Sequence, residues 1–180
     1  DMKQTDPEAA LFGINEMLYS GKRGLAPRQR QASLDNLLTF AGHSINDKFT
    51  VNVPTAGGVP GVDITVKLVS GTPSAATANQ VEVSTAGTTA ANLARFVIAI
   101  AGGTPSPSNS VAYGSGAGDA TNGIAGITAA LGTNPTITVT ATREGAAGND
   151  IVFTDVVGTM VACGSTGASP ANLAGGLGNE

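Results

Sequence analysis

Residues 136–154 read TITVTATREGAAGNDIVFT, two runs of alternating β-branched residues joined by Gly145-Ala146-Ala147-Gly148-Asn149. Successive strand side chains point to opposite faces, so Ile137, Val139 and Ala141 share one face while Thr136, Thr138, Thr140 and Thr142 line the other. The spacing predicts a strand, a tight Gly-rich turn and a return strand from Ile151, together a hairpin. Its loop carries no catalytic side chain, which marks it as a packing element.

Working outward, the same alternation recurs upstream. Phe49, Val51 and Val53 alternate with Thr50 and Asn52, a Gly/Pro turn covers residues 56–61, and VDITVKLV over 62–69 forms the second arm of a strand pair. Gln80-Val81-Glu82-Val83 predicts a third strand. Thr88 or Thr89 then caps a helix through TTAANLARFVIAIAG, closed by Gly102-Gly103. Only Asn92 and Arg95 give that helix a polar face, so it must lie against a sheet, or between a sheet and a neighbouring subunit. Residues 104–118 are rich in Pro, Ser and Gly and predict an exposed loop with Tyr113 its only aromatic. Asn122-Gly123 signals a turn, residues 124–131 fit a short helix or a strand, and 156–163 suit a last strand.

The ends differ from this middle. Residues 1–50 hold 12 of the 22 charged side chains, and the chain divides near Asp47. Asp6 and Pro7 open a helix carrying Leu11, Ile14 and Leu18 on one stripe before Gly21. A second helix is predicted after Pro27, with Leu34, Leu37, Leu38 and Ala41 on one face and Gly42 at its end. Lys22, Arg23, Arg28 and Arg30 lie between and at the start of these, with no acid from Met17 to Leu34. Four bases without interleaved aromatics fall short of a nucleic-acid footprint and fit either a solvated loop or contact with an acidic partner surface. From Gly164 the tail GSTGASPANLAGGLGNE has no period and predicts a segment that is extended or ordered only by a partner. The predicted class is therefore α+β: a small mixed or antiparallel sheet packed on an Ala-rich helix, in a module over 48–163. An N-terminal helical arm over 1–47 and an extended C-terminal tail over 164–180 flank it.

The residues for chemistry are few. His43 is the sole histidine and reads as a helix-terminal or exposed residue, and Cys163 stands alone, so neither a disulfide nor a Cys-rich zinc site can form within the chain. Asp63, Asp119, Asp150 and Asp155 read as solvated turn acids; Glu144 and Asp150 flank the turn but lack the D-x-D-x-D spacing and closing Glu of a calcium loop. Gly114-Ser115-Gly116-Ala117-Gly118-Asp119 lacks the Lys-Ser/Thr sequel of a phosphate loop and has Asp where a dinucleotide fingerprint needs its third glycine. No catalytic, metal or cofactor-binding residue is predicted. No window reaches 18 consecutive apolar residues, so no membrane helix is expected, and DMKQTDPE lacks the features of a secretory signal. Only 12% of the 180 residues are charged, against about 25% in a typical domain, which favours sequestration in an assembly.

In this order, strand, strand, Thr-capped Ala-rich helix and then TITVTATREGAAGNDIVFT, the chain resembles a module of tailed-bacteriophage virion structural proteins, seen in head-decoration, tail sheath and fibre components. The resemblance covers about residues 49–156 and is carried most by the ending T-x-x-G-x-x-G-N-x-I, here Thr142 to Ile151. It implies a non-enzymatic capsid decoration or cement protein that binds and stabilises the assembled head, with a tail or fibre component as the alternative. Its implied partners are the major capsid protein or other virion subunits and further copies of itself, trimers included, with no membrane or nucleic acid. Its implied location is the virion, assembled in the bacterial cytoplasm. Leu11, Ile14, Leu18, Leu34, Leu37 and Leu38 would then anchor the arm on the shell, with Lys22, Arg23, Arg28 and Arg30 facing acidic shell surface.

Overall fold

In a computed structural model, which describes residues 30–34, 44–55, 59–85, 88–105, 107–132, 136–158 and 169–177, the alternating segments become strands of two sheets. β2 (Lys48–Asn52) and β3 (Asp63–Val69) pair antiparallel, as their spacing predicts. β4 (Gln80–Ser84) lies parallel to β3. Phe49, Val51, Ile64, Val66, Leu68, Val81 and Val83 all project to one buried face. Lys48, Thr50, Asn52, Thr65, Lys67 and Glu82 occupy the other, half-exposed face. The fold is α+β, a mixed sheet packed on a helix.

The helix α1 (Thr89–Ala101) forms where predicted. Thr88 caps it by accepting the Ala91 amide at 3.3 Å, and Gly102, at φ 79°, ends it. Leu93, Phe96, Ala99 and Ile100 are its buried stripe. Phe96 reaches Phe49 at a centroid distance of 6.2 Å, and Phe49 in turn lies 6.3 Å from Phe153, so three tilted rings tie helix to sheet. Aromatic pairs at such separations add to the burial of their large apolar areas. Arg95, on the polar face of the helix, folds back to donate from one guanidinium nitrogen to Ser84 O, Ser84 Oγ and Thr85 O, at 2.8–2.9 Å.

Four expectations need correction. First, residues 136–154 are not a hairpin. β7 (Ile137–Glu144) pairs with β1 (Gln31–Leu34) and β6 (Ile127–Leu131), in a three-stranded sheet ordered β1-β7-β6. β8 (Val152–Val157) belongs to the six-stranded sheet, which also holds β5 (Val111–Tyr113) and β9 (Ala171–Asn172) and is ordered β5-β4-β3-β2-β8-β9. Both edges of β7 are already taken, and the intervening 3-10 turn (Ala146–Asp150) carries the chain from one sheet to the other. A hairpin connection would have kept both strands in one ladder. The facing assignment does hold, with Ile137, Val139 and Ala141 fully buried.

Second, residues 31–34 are strand β1 rather than part of a helix, because β7 offers an open edge and Ala32, fully buried, fits against the turn. Tertiary pairing overrides the local helical spacing. Third, the 104–118 stretch contains β5 (Val111–Tyr113), which pairs with β4. The half-buried Tyr113 donates its hydroxyl hydrogen to Ile98 O at 2.7 Å, a contact with the helix that composition does not reveal. Fourth, residues 169–177 of the tail pair within their own chain and need no partner to do so: β9 (Ala171–Asn172) pairs with β8, and Ala174 and Leu177 bridge to Ser33 and Arg30. The ambiguous 124–131 segment resolves as β6, and Asn122-Gly123 does form a turn, closed by the Asp119–Gly123 bridge. The first predicted helix, His43, Cys163 and residues 159–163 of the predicted last strand lie outside the described residues.

Candidate functional site

The two sheets meet at the Gly145–Asn149 turn, and the meeting is made by the C-terminal segment. Leaving β9, the chain passes from the edge of β8 to the edge of β1. Leu173 N donates to Ile151 O at 3.1 Å, then Ser33 and Ala174 exchange backbone bonds at 2.9 and 3.0 Å, and Arg30 and Leu177 do so at 2.8 and 3.0 Å. Ala171 and Leu173 are buried on the core side. The segment therefore covers two strand edges that would otherwise expose unpaired peptide groups.

Asn149 fixes its register. Its side-chain oxygen accepts the Gly176 amide at 2.9 Å, its side-chain NH2 donates to Gly176 O at 3.2 Å, and its main-chain carbonyl accepts from Asn172 Nδ2 at 3.3 Å. A side chain at 176 would overlap Gly145 O and crowd Asn149 Oδ1 and Ala32 Cβ, so the clamp selects glycine. Gly148 is held by the same packing: a Cβ there would stand 2.9 Å from the Cβ atoms of both Ala141 and Ala32.

Of the predicted partner-binding residues, Leu11, Ile14, Leu18, Lys22, Arg23, Arg28, Leu37 and Leu38 lie outside the described residues. Arg30 and Leu34 fall on β1 and its margin. Leu34 pairs with Val139, and Arg30 Nε donates to Gly175 O at 2.9 Å, engaging the C-terminal segment of its own chain. Sequence reasoning missed Asn149, Gly176, Ala171 and Leu173 as a joined set. The one available signal was the alternation Ala171-Asn172-Leu173 in a tail otherwise without period.

Two depressions lie on the surface of the described residues. A cleft of about 80 Å³ beside Val53, Thr142 and Gly148 has room for two or three waters at roughly 30 Å³ each, against roughly 300–1,000 Å³ for ligand pockets. An open hollow at Gly103, Thr104, Pro105, Ala120 and Thr121 holds no charged side chain. Beside it Asp119 is an Asx turn: its Oδ1 accepts the amides of Thr121 and Asn122 at 2.7 and 2.8 Å, and the Asn122 side chain adds a further donor. These bonds, those of Asn122 foremost, hold its carboxyl below the usual carboxylate range. Burial, with a smaller contribution from the Asp119 charge, pushes the Tyr113 phenol up to about 12. Among the described residues no three His, Cys, Asp or Glu side chains come together as a metal site, and no helix is long and apolar enough to cross a membrane.

Comparison with protein families, curated proteins and solved structures found no match.

Proposed function

We propose that the chain is a non-enzymatic virion structural protein of a tailed bacteriophage, acting as a capsid decoration or cement protein. The observation that carries this reading is the use made of the T-x-x-G-x-x-G-N-x-I stretch. Gly148 packs on Ala32 and Ala141, Asn149 binds Gly176, and Ile151 is buried. Its characteristic residues are used to join two sheets, which is the work of a packing element. The chain's low share of charged residues, 12%, and the exposure of Ile45, Val156 and Val157 about the same end of the six-stranded sheet support contact with other subunits.

Cementing works by mass action. A protein that binds the assembled lattice and not its dissociated subunits stabilises assembly by about 2.7 kcal/mol per site at 100 times its Kd. The test is to mix the purified chain with assembled heads, image the particles and heat them. Occupancy on the shell with a raised disruption temperature is expected, and a chain deleted for residues 1–29, which spares β1, should lose occupancy. Absence from heads sinks the reading; density on the tail instead favours a tail or fibre component.

A further inference from the structure

We infer that the slot formed by the edges of β8 and β1, which the chain's own C-terminal segment fills, is a strand-acceptor site, and that it takes the C-terminal segment of a second copy of this chain as well as its own. The slot has the properties of a peptide-binding site of the strand-addition kind, in which main-chain bonds supply affinity and side-chain pockets supply choice. Its main-chain acceptors and donors are Ile151 O, Ser33 and Arg30. Its pockets bury Ala171 and Leu173, and its selective element is the Asn149 clamp on Gly176. The ligand it reads is an extended segment with small or aliphatic residues at alternate positions and glycine five residues after the first of them.

Three features point to a second copy as donor. The segment is joined to β8 through residues 159–168, a length of chain that can reach at most about 33–36 Å, several times the spacing of about 5 Å between paired strands. The contacts made in the exchanged arrangement are the same as those made within one chain, so exchange of an identical element is a low-cost route to association. A chain that gives its segment away exposes the edges of β8 and β1 and must accept one in return, so exchange closes a dimer or ring, or propagates as a chain of subunits. Within one chain the segment competes at an effective concentration of order millimolar. Exchange therefore prevails where copies are crowded, as on an assembled surface, and does not depend on which assembly that is.

The test uses full-length chains carrying Cys163→Ser. Val152 and Asn172 are directly paired, so a Val152→Cys chain and an Asn172→Cys chain, differently tagged and refolded together, form a mixed disulfide only when one chain's segment occupies the other's slot. The mixed species should rise with protein concentration from micromolar to millimolar and fall at least tenfold when the donor also carries Gly176→Val. In a second arm, the unmodified chain should retain a labelled SPANLAGGL peptide (residues 169–177) at millimolar concentration and reject the same peptide with valine at the position of Gly176. No mixed disulfide and no peptide retention at millimolar concentration overturns the inference, as does cross-linking or retention that is indifferent to Gly176.

Discussion

Asn149 holds the Gly176 peptide from both sides, accepting its N–H at 2.9 Å and donating to its C=O at 3.2 Å. Asn149→Ala removes both partners at once and leaves two half-buried main-chain groups without them. Stranding such groups costs about 1–3 kcal/mol, so the denaturant midpoint of the variant should fall accordingly. Amide exchange should rise first at Ala174, Gly176 and Leu177. Unchanged protection there would mean that the clamp does not hold the segment.

Gly176→Ala tests the same joint from the other side. A methyl group would enter the space of Gly145 O, with Ala32 Cβ and Asn149 Oδ1 also too close. Overpacking of this kind costs about 1–3 kcal/mol. The loss should shrink when Asn149→Ala is already present, because the two residues share one contact and their effects are not additive. Full additivity would separate the two positions and contradict the geometry.

How much of this was legible depended on whether a residue's neighbours in space were also its neighbours in sequence. Thr88, Leu93 and Gly102 were legible because capping and a helical stripe are local. Ile137, Val139 and Ala141 were legible because strand alternation is local too. The partner of β7 was not, since TITVTATREGAAGNDIVFT fits a hairpin until β1 and β6 occupy its edges. Residues 31–34 carry a helical spacing, and only a waiting edge makes them a strand. The Asn149–Gly176 contact spans 27 positions, with no periodic signal to connect the two. The resemblance read over residues 49–156 reaches neither β1 nor the C-terminal segment, and that segment pairs with strands of both sheets.

The aromatic trio supplies a sharper stability test than any polar contact. Phe49 is fully buried between Phe96 of α1 and Phe153 of β8, so Phe49→Ala removes the link between helix and sheet and leaves a cavity. Such truncations cost about 3–5 kcal/mol, a large share of the roughly 5–15 kcal/mol that holds a domain folded. Phe49→Leu should recover much of the loss. A Phe49→Ala variant as stable as the parent would show that the sheet does not depend on this packing.

Tyr113 gives the fold a dependence on alkaline pH whose sign can be worked out. Its phenol sits at about 12 in the folded chain, against about 10 when unfolded. A raised folded pKa contributes stability that is fully present below the unfolded value and is lost as pH climbs through the folded one. Stability should therefore decline between about pH 10 and 12, as the hydroxyl that donates to Ile98 O loses its proton. In a Tyr19→Phe background the ultraviolet absorbance of the remaining phenolate should titrate near 12 when folded and near 10 in urea. Tyr113→Phe should flatten the alkaline decline and weaken the fold at neutral pH by about 1 kcal/mol through the lost hydrogen bond. Titration of the folded Tyr19→Phe chain at the unfolded value would place the Tyr113 hydroxyl in water rather than against α1.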